Sequence, residues 1–173
     1  MESFEELGVT PELIEALAAE GIETPTAFQA AAIPVLLRGN ALLAQAGPGA
    51  GTLIAYGIPL LQNTDADANA PEALVLAPTL QSASRLAESL SRFAGVTGHR
   101  IAALGSPWAL PELAGILFAD PEELLRAVRA SRAPLDGIQA VVVEGFGSMT
   151  PGGREALYAI FENLPKEGLR VLL

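Results

Sequence analysis

The 173-residue chain is 50% hydrophobic and 17% charged, has a formal net charge of −10, and contains one histidine and no cysteine. That composition excludes an intrinsically disordered chain, a disulfide or thiolate-metal framework, a cysteine nucleophile and a polyhistidine site. Ten Lys plus Arg against twenty Asp plus Glu set the overall field against nucleic-acid phosphates. Arg38, Pro59 and Gly145 break the apolar stretches short of the roughly 20 residues a membrane span needs, and the acidic start lacks a signal peptide's basic opening, so a soluble, cytoplasmic domain is expected.

Thr10-Pro11 supplies an N-cap and a proline at the first helical position, which predicts a helix over 11–19 closed by Gly21. A second helix follows Pro25-Thr26 and runs to about Arg38, where Gly39-Asn40 stops it. Residues 41–45 (ALLAQ) read as a short strand leading into the glycine-rich turn GPGAG at 47–51, then into an apolar helix reaching Gln62. The polar stretch 63–72 is a surface loop, because the strand-like run ALVLA (73–77) follows it directly. Next come a helix over 82–94, strands at 100–104 and 115–119, a helix over 121–131 capped by Asp120, a strand at 138–144, a helix over 152–163 and a last strand at 169–173. Apolar strands alternating with helices predict an α/β fold in which a mainly parallel sheet is covered by helices on both faces.

A glycine-rich turn between strand and helix lets backbone N–H groups approach a phosphate. GPGAG has no lysine, so taken alone it is explained as a tight turn. Its setting adds to that, because GIETPTAFQ (21–29), with Phe4 upstream, resembles the adenine-reading Q motif of DEAD-box RNA helicases. The resemblance implies a RecA-like three-layer sandwich in which Gln29 hydrogen-bonds the adenine edge, Phe4 stacks on the base and Thr24 lies beside them. A glutamine amide suits that work by offering both a donor and an acceptor, and packing explains Phe4 and Gln29 equally well.

Residues 44–61 (AQAGPGAGTLIAYGIPLL) resemble the family's motif I, A-x-T-G-x-G-K-T. Keeping Pro59 at the family's spacing puts Pro48 at the first threonine, Gly49 and Gly51 at the glycines, Thr52 at the lysine and Leu53 at the last threonine. The lysine neutralises β- and γ-phosphate charge and the threonine hydroxyl holds magnesium. A one-residue shift returns Thr52 to the threonine but leaves Gly51 at the lysine, so that loss stands in either alignment. Downstream, LAPTLQSASRLAESL (76–90) resembles the P-T-R-E-L-A segment with Leu80 and Gln81 replacing its arginine and glutamate. ILFADPEELLRAV (116–128) resembles the T-P-G-R segment with Asp120, Glu122 and Glu123 in place of threonine, glycine and arginine. AVVVEGFGSM (140–149) resembles the D-E-A-D strand and turn, with Glu144, Gly145, Phe146 and Gly147 at its four positions.

These departures imply lost chemistry. Gly145 stands where the family's water-activating glutamate would be, a group worth about 10²- to 10⁴-fold. Losing one preorganised electrostatic group costs about 10²- to 10³-fold more, so hydrolysis is expected to fall by on the order of 10⁴ to 10⁷. No catalytic residue is assigned. Glu144 is the one acid left for magnesium, a weak ligand at best, and its alternative is a strand-end carboxylate facing solvent. The resemblance thus implies one RecA-like domain over 1–173, ending before a second lobe. It would bind ATP or ADP weakly through Phe4, Thr24, Gln29, Gly49, Gly51 and Thr52, and RNA weakly or not at all. It would act as a structural, regulatory or nucleotide-sensing module, partnered by a second RecA-like lobe or an unknown protein, with no membrane contact. The alternative is the first lobe of a working ATP-dependent RNA helicase completed by a second lobe or a partner. Four smaller expectations accompany these. His99 lies at the surface or in a turn, Trp108 packs a loop onto the domain, Phe146 plugs the emptied magnesium site, and the arginines from 126 to 132 form a solvated helix face.

Overall fold

The computed structural model describes residues 2–106 and 113–173, so the expectation for Trp108 falls outside the described residues. Helices α1 (Pro11–Ala19) and α2 (Ala27–Leu37) precede the short strand β1 (Leu42–Leu43), and α3 (Thr52–Asn63) follows the glycine turn. Strand β2 (Ala73–Leu76), helix α4 (Leu80–Thr97) and strands β3 (Ile101–Ala103) and β4 (Ile116–Ala119) come next. The chain continues through α5 (Pro121–Arg129), β5 (Ala140–Val143), a 3-10 turn at Phe146–Ser148, α6 (Pro151–Glu162) and β6 (Leu169–Leu172).

The strands form one sheet in the order β1-β6-β5-β2-β4-β3, with every pair parallel. Alternate residues of each strand enter different cores, as the pleat requires. Ala73, Val75, Ile116, Phe118, Ala140 and Val142 pack under α1 to α4. Leu74, Leu76, Leu117, Ala119, Val141 and Val143 pack under α5 and α6. Both faces being buried, the central strands read as unbroken apolar runs, and the expected three-layer arrangement is what the chain adopts.

Local chemistry accounts for most helix starts. Asp120 caps α5 by accepting from the Glu123 N–H at 3.0 Å, and Thr79 starts α4 two residues earlier than the hydrophobic spacing predicts by accepting from the Ser82 N–H. Thr10 precedes α1 as expected, yet its side chain caps nothing, and proline at the first helical position suffices there. Strand β1 covers only two of the five residues expected.

His99 departs from its expected surface placement. Only 8% of it is exposed, and its ring joins the ends of α3 and α4, with Nε2 2.9 Å from Thr64 Oγ1 and Nδ1 2.8 Å from Thr97 Oγ1. An imidazole satisfied at both nitrogens fits a buried position between helix ends. The arginines of α5 behave as expected, Arg126 and Arg129 being exposed and Arg126 pairing with Glu123 at 2.8 Å.

Candidate functional site

In parallel sheets the loops at the carboxyl ends of the strands gather ligands, and here the loops after β1 and β5 meet. Gly49 and Gly51 hold the turn after β1 in the left-handed region, at φ +77° and +71°. Gly51 is the N-cap of α3, so Thr52 and Leu53 open that helix. Their N–H groups have no intrahelical partner, as at any helix start, and the helix field there favours an anion.

The start of α2 clamps this turn. Thr26 and Gln29 form a reciprocal cap in which the Gln29 N–H donates to Thr26 Oγ1 at 3.1 Å and the Thr26 N–H donates to Gln29 Oε1 at 2.9 Å. The same two side chains reach across to the glycine turn. Thr26 Oγ1 donates to the Ala50 carbonyl at 2.6 Å and Gln29 Nε2 donates to the Gly51 carbonyl at 3.1 Å. Gln29, 3% exposed, therefore keeps one N–H and one acceptor lone pair beyond its structural bonds. Phe4, 2% exposed, sits inside the core cluster under α1 to α4. Thr24 is exposed at the bend before α2, and Gly49 is exposed in the turn.

Glu144 follows β5 and turns toward α3. Thr52 Oγ1 donates to its Oε1 at 3.0 Å, and the Tyr56 hydroxyl donates to its Oε2. Glu144 is thus no free strand-end carboxylate, which corrects that expectation. Tyr56 is 1% exposed, and its phenol is held well above its ordinary pKa, first by burial and then by the charge and hydrogen bond of Glu144. Among the described residues Glu144 has no cationic partner, the ion pairs being Glu20 with Arg92 and Glu123 with Arg126. Tyr56 was not anticipated from the sequence. An aromatic within an apolar helix looks like core until its hydroxyl is placed, and a phenol buried there needs a polar partner.

Leu53, at the other motif I position, packs against the hydrophobic core. Gly145 has φ +73°, and a Cβ there would lie 2.9 Å from Pro78 Cγ. Phe146 does not fill the space near Thr52. It packs with the core under α5 and α6, and the Arg154 guanidinium lies 4.7 Å from its ring centroid. With Leu43, Tyr158 and Phe161 it lines an apolar groove of about 630 Å³ between β1, β6 and α6, away from the glycine turn. The aromatic residue that reaches Glu144 is Tyr56, through its hydroxyl.

The donor set does not fit magnesium. That ion takes near-octahedral oxygen ligation through carboxylates, water and substrate phosphate. Here the one carboxylate is held by two hydroxyls and Leu53 has no oxygen. Among the described residues no cluster of three His, Asp or Glu side chains is arranged to hold a metal. The positions expected to meet RNA are also altered in kind, with Leu80 40% exposed, Asp120 used as a cap and Glu123 paired to Arg126. No described helix is long and apolar enough to cross a membrane.

Comparison with known proteins agrees with this architecture. The family model described as DEAD/DEAH box helicase matches residues 26–173. The ATP-dependent RNA helicase DeaD of Buchnera aphidicola subsp. Schizaphis graminum is 33% identical over 174 residues, covering 95% of this chain and 29% of that protein. Its Escherichia coli K12 namesake is 43% identical over 91 residues, covering 53% of this chain and 14% of that one. Among solved structures, S. cerevisiae Dbp5 bound to RNA and ADP BeF3 superposes with a TM-score of 0.89 at 23% identity, covering all of this chain and 46% of that one. A DEAD box protein from Methanococcus jannaschii gives 0.89 at 23% identity, covering 98% of this chain and 49% of that one. The fold is RecA-like, and the chain spans less than a third of the curated relatives' length and about half that of the structural neighbours.

Proposed function

The chain belongs to the DEAD/DEAH box helicase family as an N-terminal RecA-like domain, and from that premise we propose that it is a module without ATPase or unwinding activity of its own, serving a structural, regulatory or nucleotide-sensing role. One observation carries the proposal. The side chains at the motif I lysine and D-E-A-D positions, Thr52 and Glu144, are bonded to each other, and Glu144 is bonded also to buried Tyr56. That arrangement supports neither phosphate neutralisation nor magnesium ligation, and the neighbouring Gly145 supplies no group to activate water. An arginine can be donated to such a site from outside, but the phosphate-loop lysine belongs to the loop itself.

Two ligands differ in what supports them. ADP accompanies RNA in the Dbp5 complex that this fold matches, and Gln29 retains one donor and one acceptor for an adenine edge. Phe4 would stack on a base only by leaving the core. For RNA the support is weaker, given the net charge of −10, the apolar Leu80 in place of an arginine, and the acidic replacements Glu122 and Glu123. A second RecA-like lobe or another protein is the partner we propose, and the cytoplasm the location.

The test is magnesium-dependent ATP turnover by the 173-residue chain, with and without single-stranded RNA. Turnover at the reagent background is expected for both. RNA-stimulated turnover lost on Gln29→Ala would instead establish the working lobe.

A further inference from the structure

We propose that Glu144, held in place by Tyr56, is a built-in anion at the start of α3 whose charge makes the site reject polyphosphate tails, restricting its ligands to adenine compounds without one. The inference rests on reading this site as a nucleotide site without turnover. It goes further by naming the residues that set which nucleotide is refused.

Three observations converge. The first turn of α3 presents unpartnered N–H groups and a positive helix end, the place where an anion is stabilised, and Glu144 Oε1 accepts from the Thr52 side-chain hydroxyl in that turn at 3.0 Å. The second oxygen is fixed by Tyr56, which is 1% exposed, so the carboxylate is anchored on both sides. The third is the missing compensation. Lys166 is the only lysine of the chain and lies in the loop before β6, Arg154 is engaged with Phe146, and no described cation pairs with Glu144.

A triphosphate entering the turn therefore meets a fixed negative charge with neither a lysine nor a metal to offset it. Like charges about 4 Å apart at an effective dielectric of about 20 repel strongly enough to cost well over tenfold in affinity. The rejection is a repulsive device of the sort by which sites discriminate between similar ligands.

The probe is inorganic tripolyphosphate without magnesium, titrated calorimetrically into the intact chain and into Glu144→Gln and Tyr56→Phe. Glutamine keeps the shape and one accepting oxygen while removing the charge, its amide N–H donating to the second hydroxyl in place of accepting from it. Phenylalanine keeps the charge and the ring packing while removing one bond. We expect no saturable binding to the native chain or to Tyr56→Phe, and a gain of at least tenfold in Glu144→Gln, with far-ultraviolet circular dichroism showing all three folded. Tripolyphosphate binding equally to the native chain and Glu144→Gln, or to neither, would overturn the proposal, as would an equal gain in Tyr56→Phe. The probe has no base and is not turned over, so failure here is separate from detection of ATP turnover, which would overturn the underlying reading.

Discussion

Gln29 and Gly51 are fitted to each other. The Gln29 amide donates to the Gly51 carbonyl at 3.1 Å, and it lies where a Cβ on residue 51 would have to be. The residue expected to read adenine is thus also the clamp that holds the phosphate turn, and the glycine at the turn's end is required by contact as well as by its φ of +71°.

Gly51→Ala is expected to destabilise the fold by about 1–3 kcal/mol through the positive φ and the overlap with Gln29. Gln29→Ala should cost about 1–2 kcal/mol by unpairing the Gly51 carbonyl and the Thr26 N–H. Because the second change removes the overlap caused by the first, the double variant should be less destabilised than the sum, by about 0.5 kcal/mol or more. Urea unfolding of the four proteins measures this, and strict additivity would show that the two residues are not coupled.

Tyr56 makes alkaline stability depend on one hydroxyl. Its folded pKa lies above the ordinary value of 10.0, so above about pH 10 the unfolded chain loses a phenolic proton that the folded chain retains. Stability should therefore fall as pH rises past about 10, and Tyr56→Phe should lessen that slope. At pH 7 the variant should lose about 1 kcal/mol from the unpaired Glu144 oxygen. Thermal unfolding from pH 7 to 11 tests both halves.

Restoring the family's glutamate at 145 should not restore hydrolysis. In Gly145→Glu the side chain would arise from a residue at φ +73° whose Cβ lies 2.9 Å from Pro78 Cγ. About 1–3 kcal/mol of destabilisation is expected, with ATP turnover still at background. A folded variant that hydrolyses ATP would show that the missing base alone silences the site.

His99 couples the α3–α4 junction to mild acid. Burial lowers its pKa from 6.5, more than the Thr64 carbonyl and the charges of Asp65 and Glu72 raise it. Below about pH 6.5 the unfolded chain takes up a proton that the folded one resists. Stability should fall with pH from about 6.5 down to the folded value, and level off below it as far as this group is concerned. His99→Gln should reduce the difference in melting temperature between pH 7.5 and 5.5, and an unchanged difference would assign the acid sensitivity to carboxylates.

Elements and layering were legible in the chain because both sheet faces are buried, so β2, β4 and β5 are continuous apolar runs no other arrangement explains. Asp120 was legible as a cap and Thr79 was not. The first precedes Pro121 at a clear helix start, whereas the second caps a turn whose residues, Leu80 and Gln81, do not follow the apolar spacing. At the site, the Thr26-x-x-Gln29 spacing is itself a capping signature, visible in the sequence but overshadowed by the adenine-reading resemblance. The pairing of Tyr56 with Glu144 was not legible. The two meet only because β1 and β5 lie on either side of β6, and nothing local to either residue records that order. Phe146 was misplaced for a related reason, since the 3-10 turn at Phe146–Ser148 directs its ring toward α6 and not toward α3.

The pairing of β1 with β6 bears on how the molecule is made. Leu42 and Leu43 lie against Val171 and Leu172, and the Ala44 N–H donates to the Leu172 carbonyl at 3.0 Å. The strand that carries the glycine turn is thus zipped into the sheet by β6, which lies far from it in sequence. Closing so long a loop is slow compared with local helix formation. On the ribosome β1 has no strand to pair with until residues 169–172 emerge, and Thr52 meets Glu144 only once β6 stands between β1 and β5.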